Sequence, residues 1–466
     1  AFLAHDWKAK KWSLQSSLQV NQNFIFPKSA YNNTFSSYER IYKYGYERHL
    51  FLRELLNYKI ASNQQFTGGA TFQLSNALAR TANLPSVYNT SLSPSEQETM
   101  YHTGTDTVDY TGRFLGVPIE YYEENRVQAG AFAQYQITIR EKLDLIAGGR
   151  FDYLALIHPE ENESHSYPSF NARAGLVYKP NKNIRFKLFY GSAFLTPSPN
   201  KTLTYFGSFR LVKDSLGRIT NVSPNLWKLP LTEESSIFGE EPVPEKLQSI
   251  ESAFIYTKND LLFGLSGYYN MMTNLLQNEL FYNLPFFDSL PPVPVAQITT
   301  SEGEGIAYGA TARVEYIWRI NEQTNIRTNA SYSYLGGQLT DDDGRSFTLP
   351  FSAEHTVKAG LGFQYKKFNI YVKGLYRTTS FNEGSVSSTG QYVQNGNPSF
   401  LILSAFANYQ VAALDKERFL IDIFVRARNL TNARYYNTSL LNAAAFSAVP
   451  QEPFGIFGGV QLRFNR

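Results

Sequence analysis

Residues 126–140 read RVQAGAFAQYQITIR, residues 141–142 read EK, and residues 143–153 read LDLIAGGRFDY. In the first segment Val127, Ala129, Ala131, Ala133, Tyr135, Ile137 and Ile139 alternate with Gln128, Gly130, Phe132, Gln134, Gln136, Thr138 and Arg140. In the last, Leu143, Leu145, Ala147, Gly149, Phe151 and Tyr153 alternate with Asp144, Gly148, Arg150 and Asp152. A period of two sends successive side chains to opposite faces of a strand. The stretch therefore reads as an antiparallel hairpin with one apolar face and one polar face, turned at Arg140-Glu141-Lys142.

The same pattern recurs along the whole chain. Strand starts fall near Trp12, Gly45, Gln65, Arg126, Lys142, Ser169, Asn183, Gln248, Leu261, Ala307, Asn325, His355, Phe368, Phe400, Phe419 and Gly455. That predicts roughly 16 strands, each about the 9–11 residues that a tilted membrane-spanning strand needs. A soluble antiparallel sandwich would also alternate. Two features favour a membrane barrel. The polar faces carry full charges, while the apolar faces end in Tyr, Trp or Phe. Connections also alternate in length. Short turns at residues 61–64, 140–142, 179–182, 258–260, 321–323 and 366–367 separate long segments at about 77–125, 195–245, 275–305, 338–352, 380–397 and 431–453. Short inner turns and long outer loops mark outer-membrane barrels. By this topology His5 to Lys11 form a turn, Ala1–Ala4 end an earlier strand, and the sequence is expected to open in mid-barrel.

Composition narrows the function. The chain has 466 residues, 35 Phe, 32 Tyr, 4 Trp and no Cys, with 18% charged residues. That is too aromatic and too weakly charged for disorder. Without Cys there is no disulfide scaffold, Cys-ligated zinc or thiol nucleophile. No apolar run approaches the roughly 18 residues of a spanning helix. A formal charge of +3 gives no basic footprint for nucleic acid. No secretory leader opens the chain, as expected of a mature or cropped sequence.

Further segments then fall into a recognisable order. Residues 134–136 (QYQ) with 145–152 (LIAGGRFD), 167–178 (YPSFNARAGLVY), 190–198 (YGSAFLTPS), Pro244-Glu245-Lys246 with Glu251, Tyr268-Tyr269-Asn270, Gly309 to Glu315, and 429–436 (NLTNARYY) with a final strand follow one another. Together these resemble the C-terminal barrel portion of TonB-dependent outer-membrane receptors, over roughly 126–466. Leu195 departs from the Arg usual in the "AFR" segment. The chain also ends Phe464-Asn465-Arg466, two residues past the customary terminal aromatic. The resemblance implies an all-β, transmembrane antiparallel β-barrel, roughly 16 strands of a 22-stranded whole, as one partial domain over 1–466. It implies an N-terminal plug that this chain does not contain. It further implies the outer membrane of a Gram-negative bacterium, surrounding outer-membrane lipid, insertion by the BAM assembly machinery, and coupling to TonB through the plug.

Enzymatic and metal readings find little support. None of the six His makes a ligand spacing such as HxxxH. His158 and His165 with Glu160, Glu161 and Glu163 read as a solvated acidic tip, and Asp341-Asp342-Asp343-Gly344 as a hydrated turn lacking the full calcium-loop spacing. No catalytic residue, metal site or cofactor is expected. The candidates for binding are of two kinds. Lumen-facing, plug-facing charges are Arg150, Asp152, Arg173, Arg185, Glu251, Arg313, Glu315 and Arg327, since charge on the lipid face costs about 2–4 kcal/mol at the midplane. Ligand-gripping outer-loop residues are Tyr121, Tyr122, Tyr205, Phe206, Phe209, Arg210, Trp227, Phe281, Tyr282, Phe286 and Phe287, because exposed aromatics suit a ligand of mixed polarity. The resemblance makes a ferric siderophore or similar metal chelate the expected small-molecule ligand of an active importer. The resemblance disfavours haem, because haem receptors of the family use a His between the "AFR" and "PEK" segments and residues 166–354 contain none, and it leaves cobalamin, oligosaccharide and other metal chelates open. A passive porin-like channel of about 16 strands and a barrel hydrolase are the competing readings.

Overall fold

The computed structural model describes the chain except residues 33–39, 79–86, 93–99, 104–105, 110–122, 159–162, 198–205, 214, 217–218, 229–242, 283–293, 341–343, 383–384, 387–391, 415–418, 439–447 and 465–466. Among the described residues no helix is long and apolar enough to cross a membrane, a statement that leaves strands untouched.

The dominant element is one antiparallel meander. Its strands are β1 (Phe2–Lys8), β2 (Trp12–Ile25), β3 (Gly45–Ala61), β4 (Gln64–Leu78), β5 (Glu123–Ile139), β6 (Leu143–His158), β7 (Glu163–Asn181), β8 (Ile184–Leu195) and β9 (Glu245–Lys258). It continues through β10 (Leu261–Tyr282), β11 (Pro294–Asn321), β12 (Thr324–Thr340), β13 (His355–Tyr365), β14 (Phe368–Arg377), β15 (Phe400–Leu414), β16 (Phe419–Arg428) and β17 (Gly455–Phe464). Each pairs with its neighbours in sequence order, from β1 on β2 to β16 on β17. This is the transmembrane β-barrel wall that the alternation predicts.

All sixteen expected strands are present, and three expectations are corrected. His5 to Lys8 are not turn residues: β1 runs to Lys8, paired Lys8 to Ser13, and the turn shrinks to residues 9–11. Alternation of Leu3, His5 and Trp7 against β2 carries the strand on. Second, β13, β14, β16 and β17 keep 10–11 residues, but most strands are longer, and β3 has 17 and β11 has 28. They project beyond any membrane-sized band. Third, the expected loop at 275–305 is largely strand. Gln277–Tyr282 pair with Pro294–Thr300, past irregularities around Asn274. The aromatic run and the β-branched Val295, Ile298, Thr299 and Thr300 both favour extended pairing.

The two faces differ in packing. The described strand residues Ser75, Ala77, Glu124, Asp152, Leu154, Leu156, Leu420 and Asp422 are buried and share the face that carries the charges. Side chains converge on the concave side of a curled sheet and diverge on the convex side. The charged face is therefore inward. The outward face exposes Phe170, Leu188, Leu265, Leu361, Ile423 and Val460.

Aromatics edge this outward band twice. At the short-turn end, Tyr178, Phe186, Phe254 and Phe263 follow one another at ring separations of 5.1–6.4 Å, and Tyr316 meets Trp318 at 5.6 Å. At the other end Tyr269, Tyr308, Tyr334 and His355 form a second chain at 5.3–6.4 Å. Two aromatic girdles around an apolar band are the interface anchors of a membrane barrel. Among the described residues one charge breaks the band. Glu54 faces outward between Leu52 and Leu56 and accepts a hydrogen bond from Ser16 Oγ at 2.6 Å.

Local chemistry secures the turns and the rim. Lys179 pairs with Asp144 at 2.7 Å across β6 and β7. In the β9–β10 turn, Arg319 holds Asp260 at 2.7 and 3.0 Å. That hydrogen bond holds the Asp260 carboxyl below the ordinary carboxylate value. At the opposite end Asn429, buried and left-handed at φ 49°, fastens the loop after β16. Its amide donates to the Ala433 and Glu452 carbonyls at 2.9 and 3.1 Å, and its Oδ1 accepts from Ala433 N–H at 3.0 Å. Asn tolerates positive φ better than most residues, which gives the NLTN segment a physical role.

Candidate functional site

The site is the inward face and the rim where the long connections lie. All eight expected inward charges fall on one face by register. Gly148 lies opposite Arg173, and Arg173 opposite Gly191. Arg185 lies opposite Ile255 on β9, and Phe189 opposite Glu251. Gly264 and Leu262 lie opposite Arg313 and Glu315.

The structure brings two of the eight together. Arg150 Nε and Nη2 donate to Asp152 Oδ2 and Oδ1 at 2.7 and 2.6 Å, and Nη2 also donates to Thr71 Oγ1 at 2.9 Å. Asp152 is almost wholly buried. The niche exists because Gly130 faces it across the β5–β6 pairing. A β-carbon there would overlap Asp152 Oδ1 and Arg150 Nη2. A buried carboxylate is tolerable only when paired in this way. Gly130 and Thr71 were not among the expected site residues. Their signal was a Gly and a Thr on the polar faces of adjacent strands, which no sequence period distinguishes.

The other expected inward charges stay apart. Arg173, Arg185, Glu251, Arg313, Glu315 and Arg327 are exposed on the inward face. Between β11 and β16, Arg313 and Arg327 join a basic wall. Arg313 shares a registered row with Ser331 and Lys358; the next row holds Glu315, Asn329, Gly360 and Lys373; the next holds Arg327, Gly362, Tyr371, Phe406 and Arg426. Arg313 lies over Gly264, whose added β-carbon would sit 3.0 Å from its Nε. Nearer the β17 edge, Arg463 pairs with buried Asp422 at 2.6 Å.

The outer-loop candidates divide differently. Tyr121, Tyr122, Tyr205, Phe286 and Phe287 lie outside the described residues, as do Glu160, Glu161 and Asp341 to Asp343. Phe206, Phe209 and Arg210 are on the strand Phe206–Lys213 and Trp227 on the strand Ile219–Lys228, so they belong to a hairpin and not to an irregular loop. That hairpin docks in parallel on β11, Trp227 opposite Ala296, while Phe281 of β10 lies opposite the same Ala296 from the other side. The backbone thus gathers Trp227, Phe281 and Tyr282 at one outer sheet edge, which sequence spacing could not show. Among the described residues no group of three or more His, Asp or Glu is placed to hold a metal.

Comparison with known proteins places this architecture. The chain superposes on the FrpB iron transporter from Neisseria meningitidis (F3-3 variant) with a TM-score of 0.61 at 13% identity, covering 98% of this chain and 62% of that one. For the ferripyoverdine receptor of the Pseudomonas aeruginosa outer membrane the values are 0.59, 13%, 96% and 54%. For the copper transporter OprC they are 0.61, 12%, 96% and 62%. At such identities the likeness is one of fold. The chain spans 54–62% of the length of these three structures. No curated protein matches the sequence. The family model "TonB dependent receptor-like, beta-barrel" matches residues 2–430, nearly the entire wall from β1 to the end of β16, and the chain therefore belongs to that family.

Proposed function

We propose that this chain is the barrel of an outer-membrane receptor that imports a scarce small molecule, with a ferric siderophore or a similar metal chelate as its ligand. Family membership carries the reading. Three physical features support it. The outward apolar band with two girdles suits an outer membrane and its lipid. The inward face is wet, with exposed charges on at least six strands. The hairpin at Phe206–Lys228 and the extended β10 and β11 raise aromatic residues above the band, where a chelate would be gripped. The similar structures include transporters of iron and copper and a ferripyoverdine receptor.

The proposal includes a plug that sits against the inward charges, TonB as the source of energy acting through it, and the BAM machinery for insertion. Catalysis has no part in it, in keeping with the family. Growth under iron limitation tests the ligand. A deletion strain complemented with the full-length gene should regain growth on defined ferric siderophores, and loss of TonB should abolish the rescue. Porin-like conductance of the full-length protein in planar bilayers, with uptake indifferent to TonB, would favour the passive channel and sink the importer.

A further inference from the structure

A second concave feature lies at the rim that carries the long connections. β12 exchanges partners there. Up to Tyr334 it pairs with β13, with His355 opposite Tyr334. Beyond, Gln338–Thr340 pair with the short strand Ser346–Thr348. Residues 349–354 must bridge the two partners, and they bow away from the sheet, with Phe351 at φ 62°. The gap is a cavity of about 550 Å³ whose lining includes Tyr308, Tyr334, Gly336, Ser352, Glu354 and Thr378. That volume lies within the range of small-molecule sites.

The walls are tied. Phe351 N–H donates to the Phe381 carbonyl at 2.6 Å, and Ala353 bridges Ser380. The Gln394 amide donates to the carbonyls of Thr348 and Asn382, both at 3.0 Å. The floor is glycine. A β-carbon on Gly336 would overlap the Tyr308 ring and the Tyr334 hydroxyl. The two tyrosines pack together, their rings 6.3 Å apart and tilted.

The chemistry of the lining is selective. Glu354 is the charged residue lining the cavity; no Lys or Arg stands among the described lining residues. His355 Nε2 lies 3.7 Å from its carboxylate. Tyr332 Oη and His355 Nδ1 share a hydrogen bond at 2.9 Å. Around that charge stand aromatic rings and the hydroxyls of Ser352, Thr348, Thr378 and Thr379.

We infer that this rim cavity binds an amine-bearing sugar of the hexosamine class. The tyrosine rings match the C–H face of a pyranose, the hydroxyls exchange hydrogen bonds with its own, and Glu354 with the tyrosine faces takes the ammonium. An acidic sugar would set a second carboxylate against Glu354. The site stands apart from the basic inward wall, beside tyrosines of the second outward girdle, and is independent of the ligand the receptor imports.

Saturation-transfer NMR and calorimetry on the full-length protein in micelles test it with glucosamine, glucose and glucuronate. Glucosamine should bind tightest, glucose more weakly and glucuronate weakest. Glu354→Gln should lower glucosamine affinity about two- to fivefold, the size of an exposed ion pair, and leave glucose unchanged. Gly336→Val should weaken both sugars, with unaltered heat-modifiable mobility confirming the fold. Equal binding of glucuronate, an unchanged glucosamine affinity in Glu354→Gln, or no saturable glucosamine binding in the millimolar range would each overturn the assignment.

Discussion

The outward and inward faces of this wall are built from the same strands, often from adjacent residues, and they obey opposite rules. Outward, Leu265 is exposed and its neighbours in register are Phe254 and Ala312; inward, Ser266 is exposed beside Ala253 and Thr311. Outward, exposure means lipid, and nearly every side chain between the girdles is apolar. Inward, exposure means water, and Arg173, Arg313 and Lys358 stand without an ion pair among the described residues. Exposure therefore says nothing of polarity in a barrel. The medium on each side decides, and the pleat assigns each residue to a side.

Moving one charge across the pleat tests the two faces most severely. Leu265→Arg, near the middle of the band, should cost about 2–4 kcal/mol, whereas Ser266→Arg should cost less than about 0.5 kcal/mol. Equilibrium unfolding in urea from micelles or vesicles reads both, and equal costs would contradict the assignment of faces. Next comes the glycine niche. Gly130→Ala should destabilise by about 1–3 kcal/mol, because the buried Arg150–Asp152 pair must move. The same change at Gly191, where an added β-carbon meets nothing within 4 Å, should be nearly neutral.

A smaller effect runs in the opposite direction. Glu54 is the carboxylate in the outward band, and Glu54→Leu should stabilise the barrel by about 1 kcal/mol in the same assay. A loss of stability would mean that something other than lipid covers it. The smallest effect belongs to the solvent-exposed turn. Asp260 has its carboxyl lowered by Arg319. A lowered folded value means that the pair contributes fully above the ordinary carboxylate range and fades as pH falls through the lowered value. Unfolding curves of Asp260→Asn and the parent should therefore differ slightly at pH 7 and converge in strong acid.

Much of the wall was legible from residues 126–153 outward, because alternation between lipid and water is a strong, local, repeated signal. The same alternation sets Arg150, Asp152, Arg173, Arg185, Glu251, Arg313, Glu315 and Arg327 on one face, and a plug or ligand meeting them belongs to the proposal. The rest depended on contacts between distant segments. That Gly130 leaves room for Arg150 and Asp152 needs the β5–β6 register. That β10 and β11 continue through the expected loop needs their mutual pairing, and a run such as 294–300 reads as loop when Pro294 is weighed alone. The docking of the Phe206–Lys228 hairpin on β11 joins residues some seventy apart.

By itself, the sequence determined the all-β class, the strand starts, the two-faced wall and the absence of a spanning helix, since each follows from side-chain period and from run length. Tertiary structure decided which polar residues are partnered, where the wall opens into a cavity, and how far the strands rise above the membrane band. Those outcomes turn on which residue of one strand lies opposite which residue of the next. Register is a property of pairs of segments, and no single segment carries it.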